Sequence, residues 1–118
     1  MKFERVKLER VAHARSGDKG NLVNIGVIAR DGRLYGAILR EVTIQRVARH
    51  FESLVKGQVV RYELPNIGAI NFVCAEALDG GGTVSLRSDA QGKSFGGAIL
   101  SLEIELTPDE QAIADSLP

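Results

Sequence analysis

The chain has 118 residues, 44% of them hydrophobic, which is enough for one buried core and too little for two domains. Lys plus Arg and Asp plus Glu stand at 15 each, for a formal net charge of +0, so no global field gathers a phosphate backbone or an anionic lipid surface, and neither nucleic acid nor membrane is an expected partner. The lone cysteine, Cys74, excludes an internal disulfide, the opening MKFERVKLER carries charges where a secretory leader needs apolar residues, and no apolar run reaches bilayer length, so a cytoplasmic location is expected.

In chain order, Val6 and Leu8 on one face and Val11 on the other predict a first strand over 6–14 with an irregularity or bulge. A polar connection follows at 15–21, and the β-branched run 22–29 predicts a second strand, antiparallel to the first and closed by Asp31-Gly32. Leu34, Ile38 and Val42 fall at helical spacing, although Asp31-Gly32 could equally open a hairpin; a short helix over 34–42 is the preferred reading. Thr43 can cap a helix whose Ile44, Val47, Ala48 and Phe51 form one stripe, and Gly57 is expected to stop it.

Val60, Tyr62 and Leu64 alternate with Arg61 and Glu63 in a strand that Pro65 ends. Asn66 offers a side-chain oxygen as cap to a second helix, with Ile67, Ile70, Val73, Cys74, Ala77 and Leu78 on one face and Gly80, Gly81 and Gly82 after it. Residues 83–88 and 94–106 are expected as the last strands, joined by a turn over 89–92. The pattern Leu100, Leu102, Ile104, Leu106 against Ser101, Glu103, Glu105 predicts a sheet with one wet side. Thr107-Pro108-Asp109-Glu110 has the cap, first-turn proline and reaching carboxylate of a tail helix from about 107, carrying Ile113 and Leu117. The expected whole is a single α+β domain over 1–118, a ferredoxin-like two-layer sandwich with about five mainly antiparallel strands and two main helices on one face.

The connection ARSGDKGN concentrates the polar chemistry. Seven residues, 15–21, exceed the two to five of an ordinary hairpin link. Gly17 and Gly20 permit left-handed backbone that can turn amides into an anion-holding concavity, with Arg15 and Lys19 adding charge. The competing reading has Ser16 and Asp18 bonding the loop's own amides, with Arg15 and Lys19 solvated or paired to Asp18. The stretch is neither a triphosphate-binding loop nor a dinucleotide fingerprint, so no cofactor follows. Asn24 and Asn71, polar in apolar surroundings, need partners if buried and either satisfy backbone or reach a ligand. His13, Ser16 and Asp18 lie too close along an extended chain to aim at one point as a triad. His50 suits the end of its helix, Cys74 suits the core, and two distant histidines make no metal template. Arg87, Asp89 and Lys93 read as a solvated hairpin turn.

Three segments in order, AHARSGDKGNLVNIGVIAR at 12–30, RYELPNIGAINFV at 61–73 and SLRSDAQGKSFGGAIL at 85–100, resemble the AtuA-like ferredoxin-fold domain. That domain is found at the C-terminus of acyclic terpene utilisation proteins and as a separate small protein. The resemblance covers about 8–106 and places the family's characteristic loop on Arg15, Ser16, Gly17, Asp18, Lys19 and Gly20, followed by Asn24, Ile25 and Gly26. Its Leu-Pro-Asn segment falls on Leu64, Pro65 and Asn66, and its Asp-x-x-Gly-Lys turn on Asp89, Gly92 and Lys93.

What the resemblance implies is breakdown of branched or terpenoid acids through acyl-CoA intermediates. The sequence lacks the large N-terminal domain of the fused form, so the leading expectation is an accessory subunit of a separately encoded large AtuA-like protein. It would bind an anionic acyl-CoA or carboxylate through Arg15, Ser16, Gly17, Asp18, Lys19, Gly20, Asn24, Asn66 and Asn71. A stand-alone lyase or hydratase, with Asp18 or Lys19 moving the proton, is the alternative. A purely structural homo-oligomer is the third. The half-apolar LSLEIEL strand is expected to be an edge that pairs, giving a dimer or larger assembly.

Overall fold

The computed structural model describes residues 3–76 and 94–118. Its strands are β1 (Glu4–Lys7), β2 (Ala12–Lys19), β3 (Leu22–Ala29), β4 (Val59–Leu64), β5 (Ala69–Cys74) and β6 (Glu103–Leu106). Its helices are α1 (Tyr35–Glu41), α2 (Ile44–His50), α3 (Ser94–Ile99) and α4 (Pro108–Asp115). The fold is α+β and ferredoxin-like. Among the described residues the strands divide into a four-stranded antiparallel sheet of order β2-β3-β5-β4 and a two-stranded sheet pairing β1 with β6. The expected residues 83–88, the 89–92 turn, Arg87, the glycines at 80–82 and the Ala77 and Leu78 end of the second helix lie outside the described residues.

Local signals that rest on capping chemistry appear as expected. Thr43 Oγ1 accepts the Arg46 N–H at 3.2 Å and opens α2. Thr107 Oγ1 accepts the Glu110 N–H at 3.2 Å while the Glu110 carboxylate accepts the Thr107 N–H at 2.8 Å, a complete capping box for α4. The preferred helix over 34–42 is α1, entered through a tight turn in which Asp31 Oδ1 accepts the Arg33 N–H at 2.9 Å.

Four expectations are corrected. The irregularity in the first strand is a full turn, Leu8–Arg10, that sends β1 into one sheet and β2 into another. The helix expected after Asn66 is β5. Its buried Ile70, Phe72 and Cys74 alternate at period two, and Gly68 at φ 63 reverses the chain so that β5 runs back between β3 and β4. The strand expected over 94–106 is a helix followed by a shorter strand: Phe95 and Ile99 share a helical face in α3, and only Glu103–Leu106 is extended. Gly96 explains the difference, because a Cβ there would stand 3.0 Å from the Arg15 carbonyl carbon and the Ser16 nitrogen. Only a bare backbone lets α3 seat so closely on β2. Finally, α2 ends at His50, and Gly57 serves a different purpose: a Cβ on it would fall 2.8 Å from the Ala75 carbonyl oxygen.

The core lies on one side of the four-stranded sheet. Ile25, Val27, Ile70 and Phe72 meet Leu34, Ile38, Val47, Phe51, Phe95 and Ile99 from the helices and their approaches, with Ile104 and Leu106 from β6 closing one end. Cys74 is fully buried there, and burial pushes its thiol up to about 11. His50, expected to serve the end of its own helix α2, reaches α3 instead, its Nε2 lying 2.9 Å from the Ala98 carbonyl oxygen.

The outer edge of β6 is closed by side chains. Arg40 Nη2 donates to the Glu105 carbonyl at 2.7 Å, the Glu105 N–H donates to Glu41 Oε1 at 2.8 Å, and Arg46 donates to the Glu103 carbonyl. The LSLEIEL strand is therefore not the bare edge that its pattern suggested. Arg40 also grips Glu110 bidentately, at 2.8 and 2.9 Å, and joins α1 to α4. The guanidinium holds the Glu110 carboxyl below its ordinary value. A carboxylate with a lowered folded pKa contributes stability above its unfolded value, about 4.3, and loses it as pH falls through the folded value. The unfolding midpoint in urea should therefore drop as pH is lowered below about 4.3. In Glu110→Gln, which keeps an oxygen for the Thr107 N–H, that drop should be shallower.

Candidate functional site

The register of the four strands sorts their side chains into two faces. Alternation places Ala14, Ser16 and Asp18 of β2 on the helix-covered face, opposite the buried Val27, Ile25 and Val23. His13, Arg15, Gly17 and Lys19 take the other face, which the helices among the described residues leave open. Residues 15–21 are thus strand for most of their length, and the connection shrinks to Gly20 and Asn21. Gly20, at φ 64, is the first central residue of this two-residue turn, where a hairpin matching sheet twist needs glycine. The expected amide nest does not form: paired to β3 from Arg15 to Lys19, the chain spends its alternate amides on the ladder.

Cross-strand rows define the open face. One row runs Arg15, Gly26, Asn71, Tyr62 across β2, β3, β5 and β4. The next runs Gly17, Asn24, Val73, Val60. His13, Ile28, Ala69 and Leu64 lie on one side of this pair, with Lys19 and Leu22 on the other. Gly17 and Gly26 are adjacent in these rows, and the nearest atoms to a Cβ on each would be Asn24 Oδ1 at 3.5 Å and the Arg15 carbonyl oxygen at 3.8 Å. Two missing side chains therefore leave a shallow trough. Asn24 Nδ2 and Asn71 Oδ1 approach to 3.5 Å beside it, and Arg15 and Lys19 stand on the same face. Among the described residues neither cation makes an ion pair or side-chain hydrogen bond. The four strands present His13, Arg15 and Lys19 on this face, together with the Tyr62 phenol, and no carboxylate.

Of the nine residues nominated from sequence, Arg15, Gly17, Lys19, Asn24 and Asn71 thus share one surface. Ser16 does not: its Oγ accepts the Gly96 N–H at 2.6 Å and ties β2 to α3. Asp18 projects to the same side as Ser16, and Lys19 to the opposite one, so this pair cannot act on one substrate atom from one side. The same alternation separates His13 from Ser16 and Asp18. Asn66 sits exposed in the tight turn Pro65–Ile67, at the end of the sheet away from Lys19, roughly 20 Å off at strand rise.

Val60, Tyr62 and Val73, the apolar half of the face, were placed in elements by the sequence but not nominated for the site, and Gly26 entered only through the family motif. Tyr62 is 54% exposed and Leu64 43%, unusual for large apolar residues in a paired strand. On the helix side a separate cleft of about 330 Å³ is lined by Gln45, Arg46, Arg49, His50 and Leu102, but Arg46 there is already committed to Glu41 and β6.

Among the described residues no cluster of three or more His, Cys, Asp or Glu is placed to hold a metal ion, and no helix is long and apolar enough to cross a membrane. Residues 6–105 match the family model of the AtuA ferredoxin-like domain. No curated protein and no solved structure matches the chain.

Proposed function

The chain belongs to the AtuA ferredoxin-like domain family, and from that premise we propose that it works as an accessory, ligand-binding subunit beside a large AtuA-like protein in the breakdown of branched or terpenoid acids. Its working surface is the open sheet face. Arg15 and Lys19 engage the anionic part of an acyl-CoA or carboxylate, Asn24 and Asn71 offer amides to its polar atoms, and Val60, Tyr62 and Val73 meet its carbon chain.

The observation that supports this reading most is the collection of Arg15, Gly17, Lys19, Asn24 and Asn71 on one exposed face, around a trough and without a carboxylate. A flat sheet encloses nothing by itself, so a ligand here is half-wrapped until a second protein closes over it. That geometry suits a subunit better than a stand-alone lyase, which needs a water-poor pocket.

Calorimetric titration with isovaleryl-CoA, free isovalerate and coenzyme A, for the chain alone and mixed with the large protein, tests the proposal. Binding that tightens in the mixture, with no turnover by the chain alone, is expected. Separate elution of the two proteins on gel filtration with no heat in any titration refutes it.

A further inference from the structure

The geometry points to a second copy of this chain as the partner of β4, paired antiparallel edge to edge about a two-fold axis at Tyr62. This inference is independent of what the open face binds.

Exposed strand edges invite pairing unless they are covered, charged or short. Among the described residues, three of the four sheet edges are managed. The β6 edge is closed by Arg40, Glu41 and Arg46. β1 is four residues long and alternates charge, with Arg5 3.8 Å from both Glu103 and Glu105. β2 has α3 seated on its Arg15–Ser16 peptide. β4 is different: it is the outermost strand, six residues long, and the backbone groups on its far side have no partner among the described residues.

Its sequence is also self-complementary. Residues 60–64 read Val, Arg, Tyr, Glu, Leu, so antiparallel self-pairing centred on Tyr62 puts Arg61 opposite Glu63 of the copy, twice by symmetry. On the helix-covered side this gives two opposite-charge pairs. There Arg61 is already aimed along the strand, with Nη2 donating to Glu63 Oε2 at 2.7 Å while Nη1 is held by the Leu39 and Val42 carbonyls at 3.0 and 2.9 Å. On the open side Tyr62 meets Tyr62 and Val60 meets Leu64, which covers the exposed tyrosine and leucine. The row Arg15, Gly26, Asn71, Tyr62 would then continue into its copy, giving one eight-stranded face.

Sedimentation velocity from micromolar to near-millimolar chain, joined to single-cysteine crosslinking, tests the pairing. Directly opposed residues lie about 5 Å apart, within disulfide reach, so Tyr62→Cys should crosslink to a dimer under mild oxidation. Leu22→Cys, on the same face at the far end of the sheet, should not, and Cys74 is fully buried. Glu63→Lys sets lysine opposite Arg61 twice and should raise the dimer dissociation constant about tenfold or more, with an unchanged circular dichroism spectrum. A chain that stays monomeric throughout, equal crosslinking at 62 and 22, or a Glu63→Lys chain that dimerises like the parent overturns the proposal.

Discussion

Phe72→Ala should lower the stability of the chain by about 3–5 kcal/mol, read as a fall in the urea midpoint at unchanged slope. Phe72 is fully buried on β5, the strand hydrogen-bonded on both sides by β3 and β4. Its row on the helix-covered face runs Ser16, Ile25, Phe72, Arg61, so truncation opens a cavity beneath the middle of the sheet. Backbone pairing on both flanks prevents β5 from moving in to fill it, which is why the upper part of the usual range is expected. A domain of this size has roughly 5–15 kcal/mol in all. The variant therefore comes near its threshold, and the rows that assemble the open face loosen with it.

Replacing both Arg15 and Lys19 by alanine should weaken binding of isovaleryl-CoA about 10–100-fold, with little change in stability. Both side chains are exposed, and among the described residues neither has an intramolecular partner to lose. Surface substitutions of that kind cost about 0.5 kcal/mol or less in folding. Each charge-assisted bond to an anion is worth about 1.5–3 kcal/mol when formed, and solvent exposure holds the pair to the low end. The loss should also be legible in salt: binding to the parent chain weakens as ionic strength rises, and binding to the double variant is nearly flat.

What could be read from the residues in advance was whatever depended on neighbours in sequence. Thr43 and Thr107 cap their helices through side-chain oxygens three residues from the amides they serve, and α1, α2 and α4 appear where those signals put them. The misreadings were decided by partners far along the chain. Ile67, Ile70, Val73 and Cys74 fit a helical spacing, whereas the strand buries Ile70, Phe72 and Cys74, and the arbiter is that β3 and β4 flank the segment on both sides. Gly96 and Gly97 lower helix propensity and disguised α3, which forms because Gly96 docks on a strand 80 residues earlier.

The candidate site divides in the same way. Arg15, Lys19, Asn24 and Asn71 were conspicuous one at a time, as charges or amides among apolar residues. Their common face was not, because it is set by the register Arg15 to Gly26 to Asn71 across three strands. Gly17 and Gly20 made a strand and its two-residue turn look like a long loop, since glycine advertises left-handed backbone and only Gly20 uses it. Tyr62 read only as one position of an alternating strand, because its exposure rests on β4 being an outer strand, a property of the sheet order alone.

The most direct test of the open face as the binding surface is amide chemical-shift mapping of the labelled chain during titration with isovaleryl-CoA. The account predicts the largest shifts at Arg15, Gly17, Lys19, Asn24, Gly26 and Asn71, with the helices α1 and α2 undisturbed. Shifts concentrated around Gln45, Arg49 and His50 in the helix-side cleft, or none at saturating ligand, would contradict it.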